Sequence, residues 1–294
     1  MITSLNKLDD GSSEITITIP WKRIQIAYEK EIVKTVQSAE IKGFRKGKAP
    51  RNLVEDKLDK TKVYEEILKT LIPEVYVEAL KEHSLKPIVS PQVSVISLEE
   101  NKDWQIKAVT AELPEVILGD YQAEIKKESA AAKIWVPGKD KTAPAPASED
   151  HNHDHNHKEE DEKINKIFQI LLKTAKVKLP KILTEDEVTR MLSRLIDQTG
   201  RLGVTVEQYL SSIGKTSDQL RTEYTQQAAE TLSLELILSK IADITKVEID
   251  DKEIEQMIAA VPENQRAQMQ SPEQKAYIKQ LLRKRKVLEN LAKL

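Results

Sequence analysis

Ten consecutive residues, Lys42-Gly43-Phe44-Arg45-Lys46-Gly47-Lys48-Ala49-Pro50-Arg51, hold five basic side chains, no acidic one, two glycines and a single aromatic. Lysine and arginine in such a run supply salt-sensitive contacts to phosphate or other acidic groups, and the glycines permit positive φ and a protruding tip. Pro50 suits the first turn of a following helix. A solvated basic loop would share this composition. Phe44 sets the stretch apart, because one of only two phenylalanines in the chain stands between its glycines as a candidate contact anchor. A second distinctive run is His151-Asn152-His153-Asp154-His155-Asn156-His157, followed by Glu159 to Glu162. Histidines at alternate positions of a flexible strand can converge on nickel, copper or zinc. A hydrophilic tether is the plainer reading of His151, His153, His155 and His157, since metal sites rest on an outer set of hydrogen bonds that a disordered run does not supply. The chain has no cysteine, which removes thiolate nucleophiles, disulfides and cysteine-based zinc sites. His83 stands alone, and neither a glycine-rich phosphate loop nor a nucleophile elbow occurs, so no enzyme and no cofactor are expected.

The basic run sits between two helical patterns. Ahead of them, Ile15, Ile17 and Ile19 alternate with Thr16 and Thr18, the period of a half-buried strand. Asp10-Gly11 reads as the turn of a hairpin whose other strand lies within Ile2 to Asp9. After Pro20, Ile24, Tyr28, Ile32, Val36 and Ala39 share one helical face. Val63, Ile67, Leu71, Val75 and Ala79 do so between Lys62 and His83, with Pro73 expected to kink or divide that helix. Val89, Val93 and Val95, and later Ile106, Val109 and Ala111, form β-prone stretches around a turn at Glu99 to Asp103.

From Lys126 to Asp150 the periodicity dissolves into alanine and proline, a composition unable to bury enough surface to order itself. Its acidic end, with seven carboxylates against one lysine between Ser148 and Glu162, is expected to stay extended. Capping boxes then follow at Thr184/Glu187, Thr205/Gln208 and Thr216/Gln219, and a further start at Ser271-Pro272-Glu273-Gln274. Helical stripes fill the intervals, among them Val188, Met191, Leu192, Leu195 and Ile196, and Leu232, Leu236, Ile237, Ile241 and Ile244. The final helix carries Arg283-Lys284-Arg285-Lys286, read as its solvated face. The expected architecture is an α+β domain over 1–125, a disordered linker over 126–160 and an all-α domain over 161–294.

Composition agrees with a helix-rich protein: 294 residues, 32% charged, 39% hydrophobic and 4% aromatic, with a net charge of -2. That charge gives no global field toward nucleic acid, so any RNA contact must be local. DNA is not an expected partner. The start, Met1 to Lys7, has no basic run leading into an apolar core, and no later stretch approaches the ~18 apolar residues of a membrane span. The cytoplasm is the expected address, with no membrane partner.

Gly43-Phe44-Arg45-Lys46-Gly47-Lys48-Ala49-Pro50 resembles the ribosome-binding signature of bacterial trigger factors. The flanking strand pair and helix, and Pro114-Glu115-Val116-Ile117-Leu118-Gly119-Asp120-Tyr121, resemble that family's N-terminal domain. The resemblance implies docking at the nascent-chain tunnel exit, on a ribosomal protein and nearby ribosomal RNA, through Phe44, Arg45 and Lys46. Gly43, Gly47, Lys48 and Pro50 belong to the same motif and shape or extend the loop. Leu179-Pro180-Lys181-Ile182-Leu183, Gly203 to Leu210 and Gly214-Lys215-Thr216 resemble the family's helical arms, which cradle unfolded chains. A related helical module occurs in SurA-type periplasmic chaperones. Met191, Met257 and Met269 could contribute adaptable apolar surface to nascent or unfolded polypeptides, although each is individually more at home in a core. The family carries an FKBP-like prolyl isomerase between these halves. Only Lys126 to Glu162 is available for it here, below the ~40 residues at which domains cease to fold unaided, so a chaperone without isomerase activity is expected. The alternative is a ribosome- or RNA-binding factor that holds no client.

Overall fold

A computed structural model describes residues 1–39, 44–47, 50–55, 60–132, 152–262, 266 and 269–294, the side chains of 131–132 and 152–160 excepted. The chain forms two compact units, Met1–Leu113 with Pro180–Leu183, and Pro114–Leu179 with Thr184–Leu294.

The first unit is built on a four-stranded antiparallel sheet of order β1-β2-β4-β3, comprising β1 (Ile2–Lys7), β2 (Ser12–Ile19), β3 (Gln92–Ser97) and β4 (Trp104–Ala111). Gly11, at φ 89°, turns β1 into β2, and the Asp10 carboxylate closes the turn by accepting from Ser12 N and Ser12 Oγ at 2.9 and 3.0 Å. The alternation in β2 does what its period requires: Ile15, Ile17 and Ile19 are fully buried. Across the ladder they meet Ala108, Ile106 and Trp104 on the same face. Each isoleucine so buried stabilises the fold by roughly 2 to 3 kcal/mol. That face is covered by α1 (Trp21–Ser38) and α3 (Lys60–Glu82), whose Ile24, Ile32, Val63, Ile67, Leu71, Val75 and Ala79 complete the core.

Pro73 does not divide α3, which runs unbroken from Lys60 to Glu82. Pro73 is exposed, so the carbonyl it leaves without a helical donor can turn to water. The helix α1 lacks a side-chain cap of its own at Pro20. Asp103, in the β3–β4 turn, supplies one by accepting from Trp21 N at 2.8 Å. Arg23 then ties α1 to α3 with two hydrogen bonds to Glu78, at 2.7 and 2.8 Å.

The second unit comprises α4 (Tyr121–Ala132), α5 (Asn152–Thr174), α6 (Lys181–Arg201), α7 (Val206–Ser212), α8 (Ser217–Ile244), α9 (Asp251–Ala259) and α10 (Pro272–Ala292), the first turn of α6 lying in the first unit. A short ribbon of β5 (Val116–Ile117) on β6 (Lys176–Val177) departs from the all-α expectation. The expected domain end near Ile125 falls inside α4, because Tyr121 and Ile125 are core residues of the helical unit, packed with Ile167, Leu171, Ile237 and Ile241. The expected linker is likewise shortened at both ends, by α4 running to Ala132 and α5 beginning at Asn152. Residues 133–151 lie outside the described residues.

Capping chemistry explains the helix starts. Both capping boxes, Thr205 with Gln208 and Thr216 with Gln219, form with their reciprocal hydrogen bonds, and Ser271 accepts from Gln274 N ahead of Pro272. The expected start at Thr184 is displaced, since α6 begins at Lys181. Its cap is remote: the carboxylate of Asp10 accepts from Lys181 N at 3.0 Å. Partial burial raises the Asp10 pKa, but the hydrogen bonds from Ser12 and Lys181 prevail and hold it below the ordinary carboxylate value. The basic run on α10 is less solvated than expected. Arg283 bonds Asp243 and the Val247 carbonyl at 2.8 and 3.0 Å, Lys284 pairs with Glu235, and Lys286 pairs with Glu253 at 3.2 Å. These residues fasten α10 to α8 and α9.

Candidate functional site: an aromatic and basic loop on the α+β unit

The loop between α1 and α2 (Arg51–Glu55) begins where α1 stops. Ala39 leaves helical geometry while its N–H still bonds the Thr35 carbonyl at 2.8 Å. The chain then returns, and Gly47 N donates to the Ala39 carbonyl at 3.1 Å, closing the loop onto the helix end. Gly47 adopts φ 73°, and a Cβ there would meet the backbone oxygen of Gln37 at 2.6 Å. Both the left-handed conformation and the close approach therefore require glycine. Pro50 accepts from Leu53 N and Val54 N at 3.1 and 3.3 Å, opening α2.

Within this frame Phe44 is 43% exposed. A large ring so exposed carries an apolar surface free for contact. Arg45 and Lys46 follow it and are exposed as well. Gly43 and Lys48 lie outside the described residues.

Arg51, grouped with the basic set by sequence, does different work. Its two terminal nitrogens bond both oxygens of Glu29 on α1, at 2.7 and 2.9 Å, and its Nε bonds Glu55 at 2.6 Å. The hydrogen bonds that Arg51 donates lower the Glu29 pKa, and those it gives to Glu29 and Glu55 raise its own. With Val54 buried beneath it, this pairing holds α2 against α1 as the loop's second post. The spacing of Arg51 and Glu55 was legible as a helical pair, but Glu29 lies too far off in sequence to have been assigned.

The methionines are distributed differently. Met257 and Met269 pack against the core of the helical unit, and Met191 is half-buried on α6. Exposed apolar surface in that unit comes instead from Ile196, Leu202, Val204, Ile213, Ile244 and Tyr277. Leu202, Val204 and Ile213 fall at the α6–α7 and α7–α8 connections, outside the stripes that sequence periodicity selects. His151 is outside the described residues, as are the side chains of His153, His155 and His157. The backbone from Asn152 onward is helical, not the extended strand on which their alternate spacing would bring them together. Among the described residues no helix is long and apolar enough to cross a membrane.

An α+β unit presenting a braced aromatic and basic loop, followed in sequence by a helical unit with dispersed apolar surface, defines a two-part protein of the trigger-factor fold. The family model for the bacterial trigger factor protein matches residues 1–134, and that for its C-terminus matches residues 148–293. Between them they take in nearly the whole chain, which belongs to the bacterial trigger factor family. The trigger factor of Natranaerobius thermophilus is 33% identical over 129 residues, 44% of this chain and 29% of that protein. That of Staphylococcus aureus strain JH9 is 34% identical over 129 residues, 44% of this chain and 30% of that protein. The matched stretch thus spans about three tenths of these relatives' length. A solved structure described as "Promiscuous Substrate Recognition in Folding and Assembly Activities of the Trigger Factor Chaperone" aligns with a TM-score of 0.67 over 100% of this chain and 99% of that one. At 15% identity this is a likeness of fold. The two family matches leave only residues 135–147 between them. Such a segment is far shorter than a self-folding domain of ~40 residues, so the chain is a form without the FKBP-like domain.

Proposed function

We propose that the chain is a ribosome-associated chaperone that docks at the tunnel exit through the loop at Phe44, Arg45 and Lys46 and holds nascent or unfolded polypeptides in the cytoplasm. The observation that carries this reading is the exposure of Phe44 on a loop whose two ends are fastened, by Gly47 to α1 and by the Arg51–Glu29 pair. Fastened ends lower the ordering cost of docking. Phe44 supplies an apolar anchor, and Arg45 and Lys46 supply contacts to phosphate that weaken with salt. Gly43, Gly47, Lys48 and Pro50 complete the motif. Client holding falls to the helical half, through exposed Ile196, Leu202, Val204 and Ile213 more than through Met191, Met257 and Met269.

Co-sedimentation with ribosomes tests the docking. The variant Phe44→Ala/Arg45→Ala/Lys46→Ala is expected to lose affinity by roughly a hundredfold, since a buried aromatic anchor and two charged contacts each contribute about 1 kcal/mol or more. Equal pelleting of variant and wild type would remove the proposal. Light scattering with an aggregating client then separates a holding chaperone from a factor that binds the ribosome or its RNA alone, because only the former delays aggregation.

The chain is further proposed to lack prolyl isomerase activity, for want of a domain to carry it. A chromogenic proline peptide should turn over at the uncatalysed rate in its presence, and acceleration proportional to protein concentration would overturn this.

A further inference from the structure

The edge strand β3 of the first unit is open in a way that edge strands seldom are. Among the described residues it lies at one end of the sheet order and pairs only with β4. Val93 and Val95 stand opposite Ala108 and Ile106, so they share the face on which α1 and α3 pack. Yet Val93 is 37% and Val95 48% exposed, with Ile96 and Ile88 at 50%. The helices cover β2 and β4 and leave this end of the face bare. Alternate residues of an edge strand also turn their N–H and C=O groups outward, unpaired by the sheet. Proteins usually guard such edges with lysine, proline or an inward charge. Gln92-Val93-Ser94-Val95-Ile96-Ser97 carries none of these, and the register shift between Val95 and Ser97, a bulge of the kind that protects other edges, leaves Gln92 to Val95 in unbroken register with β4.

We infer that β3 is a strand-addition site for an extended, uncharged, β-branched or apolar segment of an unfolded polypeptide. Such a segment hydrogen-bonds the outward groups of β3 and lays alternate side chains beside Val93 and Val95. The absence of charge along β3 selects against charged segments, which would lose solvation without gaining a partner. The size of the site selects a transient occupant over a second copy of the chain: one six-residue strand against another falls well short of the ~1,200 Å² that a stable interface buries. The site rests on the holding activity proposed above and extends it from the helical half to the sheet.

The test measures anisotropy of a labelled octapeptide of alternating valine and threonine binding to the full chain, beside the same peptide N-methylated at its four central, consecutive amides. Consecutive methyl groups remove the donors of both edges and leave the side chains in place. The unmodified peptide is expected to bind at least about tenfold more tightly than the methylated one, and Val93→Lys/Val95→Lys to weaken it by at least about tenfold. Both substituted positions are exposed, and circular dichroism checks that the sheet persists. Equal binding of the two peptides to wild type overturns the site without recourse to any variant. A dimer in sedimentation velocity that the lysines abolish would make a second copy the occupant and overturn it too. Aggregation assays keep the two proposals apart. If wild type binds the peptide through β3 but does not delay client aggregation, the holding reading fails and the site stands. If the lysine variant delays aggregation as wild type does and the peptides bind alike, the site fails and the holding reading stands.

Discussion

Gly47→Ala is expected to lower ribosome affinity by at least about tenfold while leaving the unfolding of the chain's core nearly unchanged. A left-handed conformation costs a non-glycine residue about 1 to 2 kcal/mol. Gly203 at φ 72° would bear the same cost, with no atom within 4 Å of its built Cβ. Gly47 adds a second cost, the 2.6 Å approach to the Gln37 backbone oxygen, which cannot turn aside as a side chain would. The strain is relieved when the hydrogen bond from Gly47 to Ala39 opens and the return leg of the loop lifts from α1. Phe44 would remain exposed but lose its fixed place, so the loss is one of preorganisation. The comparison of Gly47→Ala with Gly203→Ala in ribosome co-sedimentation isolates that term. Equal pelleting of Gly47→Ala and wild type would show that the loop's closure on α1 does not matter for docking.

Trp104→Ala is expected to destabilise the first unit by about 3 to 5 kcal/mol, the largest effect of any single truncation in its sheet. Trp104 is fully buried at the start of β4, opposite Ile19. Tyr64 of α3 meets its ring edge-on with centroids 5.2 Å apart, and Tyr28 of α1 meets Tyr64 at 6.1 Å. Its Nε1 donates to the Glu99 carbonyl at 3.2 Å, which fixes the β3–β4 turn. Removal of the indole therefore leaves a cavity among three elements and frees the turn whose Asp103 caps α1. Urea denaturation followed by circular dichroism should show the transition of the first unit at lower denaturant, with that of the helical unit in place. A single unshifted transition would exclude this anchoring role. Ribosome docking should fall with the first unit's stability, since the loop is only as ordered as α1.

Several features were readable from residue order because their causes are local. The period of two in Ile15, Ile17 and Ile19 dictates one buried face wherever the strand lies. The capping boxes at Thr205 and Thr216 satisfy amides within three residues. Gly47, at φ 73°, holds a turn that other residues resist, as its residue type suggests. The helical stripes were also correct in their inner members, as Leu195, Ile237 and Ile241 show, but Ile196 and Ile244 at their margins are exposed. Periodicity states which residues share a face and is silent on how wide a neighbour covers it.

What the tertiary structure decided depends on partners distant in sequence. Asp103 caps α1 and Asp10 caps α6, and the second of these moved the helix start from Thr184 to Lys181. Arg51, one of the five basic residues of the run, takes a bracing role because folding brings Glu29 to it. Tyr121 and Ile125 went to the helical unit because its core, not their own segment, buries them. Val93 and Val95 read as ordinary sheet residues until the placement of α1 and α3 left them uncovered. The loop at Phe44 belongs to both accounts: its residue types announce a contact surface, while its attachment to α1 through Gly47 and Arg51 exists only in the folded chain.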